Sequence, residues 1–204
     1  MLQTQTIESG TLDLLKKLMS LEILEPYYLA GGTALALQIG HRMSYDLDFF
    51  GKFNIPHELV LEQLNQLGEV IVTDRFDTVS RFEVNKIKVD IVRYRYNLLK
   101  PLINIDGVRM ASLEDIAAMK IYAIVSRGVK RDFFDLYAFL EIFPLTTMID
   151  LAMTKYPESI KLHIMRSLTF FDDAEEDSDP RMFKTIVWEE VKDKVRKEVK
   201  RIAL

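Results

Sequence analysis

Apolar residues recur at helical spacing over 11–24, through Leu12, Leu15, Leu18, Met19 and Ile23, and Pro26 ends the run. The pattern predicts a first amphipathic helix. Residues 27–30 form a short apolar stretch that leads into Gly31-Gly32, as a buried strand running into a turn does. A compact apolar helix is predicted over 34–39, with Gly40 as its C-cap. At 46–50 the period changes to two, acid alternating with apolar residue, which predicts a strand. A helix over 56–67 follows, bounded by Pro56 and Gly68. Strands are expected at 69–74, 79–84 and 87–95, the last two joined as a hairpin around Asn85-Lys86. Asp106-Gly107 turns between short strands at 102–105 and 108–110.

From Ser112 onward the pattern becomes helical. Ser112 and Asp115 stand at capping-box spacing before a helix that runs to about 127, where Gly128 closes it. A second helix over 130–142 stops before Pro144. The remainder is helical, with breaks at Pro157 and at the acidic segment ending in Pro180. A charged final helix over 185–202 carries Trp188. Strands followed by helices predict an α/β (α+β) core at 1–111, a mixed sheet flanked by helices, with a helical half at 112–204 packed on it.

Composition narrows the chemistry. The 204 residues include no cysteine, which removes disulfides and thiolate metal sites. His41, His57 and His163 are scattered, which argues against a zinc centre. The net charge of −4 gives no global attraction to nucleic acid, so local clusters matter more. Lys86, Lys88, Arg93, Arg95 and Lys100 form one basic cluster, Arg127, Lys130 and Arg131 another, and acids gather at 172–179. Such runs are as readily a solvated face as a binding surface. Residues 1–8 lack a basic n-region with an apolar core, and no apolar stretch reaches spanning length. A cytoplasmic protein with no membrane partner is expected.

The segment from Gly31 to Asp48 holds the candidate chemistry. On a strand, Asp46 and Asp48 point to one face, with Leu47 turned to the core. Two carboxylates side by side suit a hard cation such as Mg²⁺ (or Mn²⁺), which takes oxygen ligands and bridges to substrate phosphates. Gly31 and Gly32 let a backbone come close to a polyphosphate at a helix N-terminus. The two features together read as a metal-dependent nucleotidyl-transfer site with an NTP as substrate. Asp90, inside the β-branched run Val89-Asp90-Ile91-Val92, is the candidate third carboxylate, and the alternative is an edge-strand acid paired with Lys88 or Arg93. Thr33 could bind phosphate or cap the following helix. Arg42 could grip phosphate oxygens bidentately, and Ser44 could bind a phosphate, fix Asp46 or stabilise a turn. Lys120 interrupts an apolar helical stripe that includes Ile116, Ala123 and Ile124, where a lysine can snorkel outward. Asp132 and Asp135 share a helix face and could pair with Arg127, Lys130 or Arg131.

The order strand, Gly31-Gly32-Thr33, helix, Arg42-x-Ser44-x-Asp46-x-Asp48 resembles the first motif of the DNA polymerase β-like nucleotidyltransferases. More narrowly, it resembles the AbiEii/AbiGii toxins of bacterial toxin–antitoxin and abortive-infection systems. Two later segments carry the same resemblance: Lys120 through Arg127, Lys130-Arg131-Asp132 and Asp135, and Phe170-Phe171-Asp172-Asp173-Ala174-Glu175. The resemblance spans about residues 10 to 200. It implies a polymerase β-like fold and transfer of a nucleoside monophosphate from an NTP, with release of pyrophosphate. The acceptor it implies is RNA, a tRNA 3′ end among the candidates, or a protein hydroxyl. A cognate antitoxin would be the partner. Within the resemblance Thr33 stands where a serine or threonine follows the glycines, Lys120 contacts the triphosphate, and Asp132 competes with Asp90 as the third active-site acid. A small-molecule transferase of the antibiotic-modifying kind, which would need an acidic acceptor cleft, and a non-catalytic binding module on the same fold are the alternatives.

Overall fold

The computed structural model describes residues 1–203. The chain divides into two compact units: Met1–Tyr96 with Pro101–Ala111, and Asn97–Lys100 with Ser112–Leu204.

The first unit is built on a seven-stranded mixed sheet in the order β3-β4-β5-β2-β1-β7-β6. Its strands are β1 (Tyr28–Ala30), β2 (Leu47–Gly51), β3 (Val70–Arg75), β4 (Val79–Val84), β5 (Ile87–Arg93), β6 (Ile103–Ile105) and β7 (Val108–Met110). The central strand β2 runs antiparallel to β1 and parallel to β5. Period-two burial holds along it: Leu47, Phe49 and Gly51 are buried, while Asp48 and Phe50 are half-buried on the other face. Helices α1 (Ser9–Ser20), α2 (Gly31–Ile39) and α3 (His57–Asn65) complete the unit. Leu14, Leu15 and Leu18 bury one stripe of α1. The hairpin between β4 and β5 turns through Asn85 and Lys86, both at positive φ. Two consecutive left-handed residues match the right-handed twist of the strands they join.

The glycine pair departs from the expected turn. Gly31 and Gly32 are the first residues of α2 itself, and Ala30, which has no capping side chain, is its N-cap. Thr33 is therefore not the cap. Its hydroxyl turns inward to the segment that precedes β2, as described below. Asp90 also departs from one reading, because β5 lies between β4 and β2 and is not an edge strand.

The second unit is helical: α4 (Leu113–Arg127), α5 (Lys130–Phe139), α6 (Leu145–Lys155), α7 (Lys161–Ser167) and α8 (Trp188–Ala203). The last helix begins at Trp188, three residues later than its charge pattern suggests. Ser112 caps α4 by accepting from the Asp115 N–H at 3.0 Å. Asp115 does more than complete that cap. It accepts from the backbone of Leu99 and Lys100, and its carboxylate lies 2.7 Å from Lys155 Nζ, with both side chains fully buried. Lys155 also donates to the Asn97 carbonyl. This network explains why 97–100 belong to the helical unit although they lie before residue 111. A buried charge pair of this kind is tolerable only because hydrogen bonds satisfy its remaining lone pairs and protons.

The acidic segment finds a structural role. Glu175 accepts from Trp188 Nε1 at 3.0 Å and from Lys192 Nζ at 2.7 Å. Phe171 packs edge-on against Trp188 and tilted against Phe133. Phe171 and Glu175 thus fasten the start of α8, while Asp172 and Asp173 stay exposed in a 3₁₀ turn.

Candidate active site

Backbone register brings the candidate acids of the first unit together. Asp48 and Asp90 are partners across the parallel β2–β5 pair, so their side chains leave the sheet on one face. Asp46 lies two residues before Asp48, just ahead of β2, and its charge reaches Asp90. Burial pushes the Asp90 carboxyl above the ordinary carboxylate range; Arg81 pulls it back, and Asp46 adds to the rise. Arg81 is the cross-strand partner of Asp90 on β4, with Nε 3.2 Å from Asp90 Oδ2.

The glycines fit against these groups. A Cβ on Gly31, which has φ of +70°, would meet Asp48 Oδ2 at 2.5 Å. A Cβ on Gly32 would run into the Arg42 guanidinium and come within 3.5 Å of Ser44 Oγ. The absence of side chains at both positions is thus a packing requirement of the acids and of Arg42. Arg42 and Ser44 are buried, and Arg42 donates to the Met43 carbonyl at 2.8 Å. Thr33 Oγ1 lies 2.8 Å from Ser44 Oγ and also donates to the Asp46 carbonyl. Thr33 and Ser44 therefore tie the first turn of α2 to the segment that carries Asp46. Gly31, Gly32, Thr33, Arg42, Ser44, Asp46, Asp48 and Asp90 form one constellation. It has N–H groups at a helix N-terminus, a guanidinium, and carboxylate oxygens on or beside a rigid sheet.

The donor chemistry, carboxylate oxygens alone, fits Mg²⁺ or Mn²⁺ rather than a softer metal. Among the described residues, no three His, Cys, Asp or Glu side chains converge as a ready-made metal cage. Mg²⁺ keeps several waters and relies on substrate phosphates, so an incomplete protein cage suits it.

Lys120, Asp132 and Asp135 belong to the second unit. Lys120 Nζ lies 2.8 Å from Asp132 Oδ1 and 2.5 Å from Asp135 Oδ2, and all three side chains are buried. Arg127 grips Asp132 through Nε at 2.9 Å and Nη2 at 3.1 Å. Burial would raise the Asp132 carboxyl, but Lys120 and Arg127 together hold it below the usual range. Lys130 is spent in another way: it is buried, bonds the Glu175 and Asp177 carbonyls and lies over the Trp188 ring. It is not part of an exposed basic rim. Strand alternation also divides the other cluster, for Lys88 shares the face of Asp90 whereas Arg93 falls on the opposite one and Arg95 lies past the end of β5.

Arg81 escaped the sequence reading, though its signal was present. A two-residue turn at Asn85-Lys86 sets Val84 opposite Ile87 and, by counting outward, Arg81 opposite Asp90. The Lys155–Asp115 pair left no such local signal.

A sheet with paired acids beside a glycine-bearing helix start is the architecture of a nucleotidyltransferase. Residues 13–201 match the family described as "Nucleotidyl transferase AbiEii toxin, Type IV TA system", and the chain belongs to it. A relative from Aquifex aeolicus (strain VF5), the uncharacterized protein aq_aa25, is 36% identical over 194 residues, covering 91% of this chain and 92% of that one. Among solved structures, MenT4, the nucleotidyltransferase toxin Rv2826c from Mycobacterium tuberculosis H37Rv, superposes with a TM-score of 0.57 at 18% identity over 95% of this chain and 83% of its own. JHP933 from Helicobacter pylori gives 0.55 at 19% identity over 96% and 93%. These two likenesses are of fold. Family membership makes the protein a nucleotidyltransferase of the toxin class. No helix among the described residues is long and apolar enough to cross a membrane.

Proposed function

We propose that the first unit transfers a nucleoside monophosphate from an NTP to a macromolecular acceptor, an RNA or a protein hydroxyl, with release of pyrophosphate, and that a cognate antitoxin counteracts this activity. The acceptor oxygen attacks the α-phosphorus, the bond from that phosphorus to the α–β bridging oxygen breaks, and pyrophosphate leaves. In this reading Asp46, Asp48 and Asp90 would hold Mg²⁺ or Mn²⁺, which would neutralise negative charge on the phosphates. The N–H groups at the start of α2 and the Arg42 guanidinium bind phosphate oxygens, for which both have the right charge and hydrogen-bond direction. Thr33 and Ser44 keep Asp46 in place. Gly31 and Gly32 leave room for the acids and for the phosphates.

The observation that carries this reading is the register Asp48–Asp90 with Gly31 set against the Asp48 carboxylate. It favours Asp90 over Asp132 as the third carboxylate. On the family resemblance alone, Lys120 would contact the triphosphate and Asp132 would be the competing third acid; within their own unit, Asp132 fixes Lys120 and Arg127.

Incubation with each of the four α-labelled NTPs and Mg²⁺, against total RNA and total protein, tests the proposal. Label should appear in one acceptor class with the native protein and not with Asp48→Asn. Label in neither class, together with transfer to an aminoglycoside, would replace the proposal with the small-molecule one.

A further inference from the structure

The Arg81 side chain has two carboxylates within reach, and only one of them belongs to the acid constellation. On one side Nε lies 3.2 Å from Asp90 Oδ2. On the other, Nη1 lies 3.4 Å from Asp74 Oδ2 on the edge strand β3, and the guanidinium sits 5.6 Å from the Phe76 ring centre. The residue is 44% exposed, so it can move without breaking the core. Asp90 is less free: its side chain is 25% exposed and its backbone is fixed between β4 and β2. The row across the sheet is therefore Arg81, Asp90, Asp48, with a second resting place for the arginine at Asp74 and Phe76.

A guanidinium and a divalent cation compete for the same carboxylate oxygens. Each neutralises Asp90, and the two repel each other if both stay close. Resting on the nucleotidyl-transfer reading above, we propose that Arg81 is a positioning residue for Asp90: it occupies the third carboxylate in the nucleotide-free protein and retreats toward Asp74 when a metal–NTP complex arrives. A triphosphate brings the additional oxygens and negative charge that tip the exchange. Metal binding then depends on substrate, which keeps the acids from holding a cation alone.

The test measures Mn²⁺ binding to the full-length protein by electron paramagnetic resonance, with and without a non-hydrolysable NTP analogue. Native protein should bind Mn²⁺ weakly alone and tightly with the analogue. Arg81→Gln should bind Mn²⁺ alone about tenfold more tightly, a change on the scale of groups that act through a metal's ligands. Lys88→Met removes a charge from the same sheet face without breaking the Asp90 contact and should shift Mn²⁺ binding far less. Arg81→Lys, which keeps the charge but lacks the fork that spans two carboxylates, should fall between the native protein and Arg81→Gln. Unchanged or weaker Mn²⁺ binding in Arg81→Gln, while the analogue still promotes binding, overturns this inference alone. An equal shift in Lys88→Met also overturns it, because bulk charge would then suffice. Native protein that binds no Mn²⁺ even with the analogue overturns the nucleotidyl-transfer reading and this inference with it.

Discussion

Asp90 and Asp132 are the same residue type in opposite circumstances. Asp90 stands on a strand among other acids, with one arginine that is shared with Asp74 and a carboxyl raised by burial. Asp132 is fully enclosed, gripped by Lys120 and Arg127, and its carboxyl is lowered. On the proposed reading, an acid held by one exposed, movable arginine can exchange that partner for a cation, while an acid enclosed with two basic partners holds a structure together. On that reading an exchangeable partner distinguishes a site acid from a framework acid, and proximity to basic residues in the sequence does not.

The sharpest division between the two regions should appear in Asp46→Asn and Asp48→Asn. Transfer should fall by roughly 10²–10³-fold or more, the scale of losing a group that stabilises transition-state charge. Melting should be unchanged or slightly higher, because a near-isosteric amide relieves like-charge repulsion. A large drop in melting temperature would move these acids into the framework class.

Asp132→Asn should behave in the opposite sense. It leaves the buried Lys120 with Asp135 alone and strips Arg127 of its bidentate partner, at a cost of about 3 kcal/mol in urea denaturation. Full stability in this variant would break the comparison.

Asp90→Asn should shift stability by less, and in the favourable direction, by up to about 1 kcal/mol. The folded state disfavours the charged form of Asp90, so removing the charge relieves the fold while disabling the site.

The smallest effect is in pH. The folded Asp132 carboxyl lies below its ordinary value of 3.8, so its contribution is fully present above that value and is lost as pH falls through the folded one. Asp90 contributes with the opposite sign, since its raised carboxyl favours the folded state as it protonates. Asp132→Asn should therefore flatten the acid limb of stability against pH, and Asp90→Asn should steepen it.

Much of the first unit was legible in the chain. Period-two alternation located β2 and made Asp48 face away from the core, and the turn at Asn85-Lys86 fixed the β4–β5 hairpin. Local pattern could not show that β5 lies beside β2, because parallel pairing links residues more than forty positions apart and leaves no turn between them. The glycine pair after an apolar run predicts a turn before a helix; it lies instead inside the first turn of α2, where side chains would meet Asp48 and Arg42. In the second unit, helix spacing located α4 and α5, but the partners of Lys120 and Lys130 depend on packing between helices. Lys130 looked like an exposed base, and it is buried under the acidic segment and Trp188.

The central claim is that Asp90 serves the site and Asp132 serves the framework. Binding of Mn²⁺ with a non-hydrolysable NTP analogue, measured beside thermal melting on Asp90→Asn and Asp132→Asn, addresses it most directly. The account predicts that Asp90→Asn melts at or above the native temperature and loses metal–nucleotide binding, while Asp132→Asn melts well below it. An Asp132→Asn variant that melts like the native protein yet binds no Mn²⁺, beside an Asp90→Asn variant that binds it normally, would contradict the account.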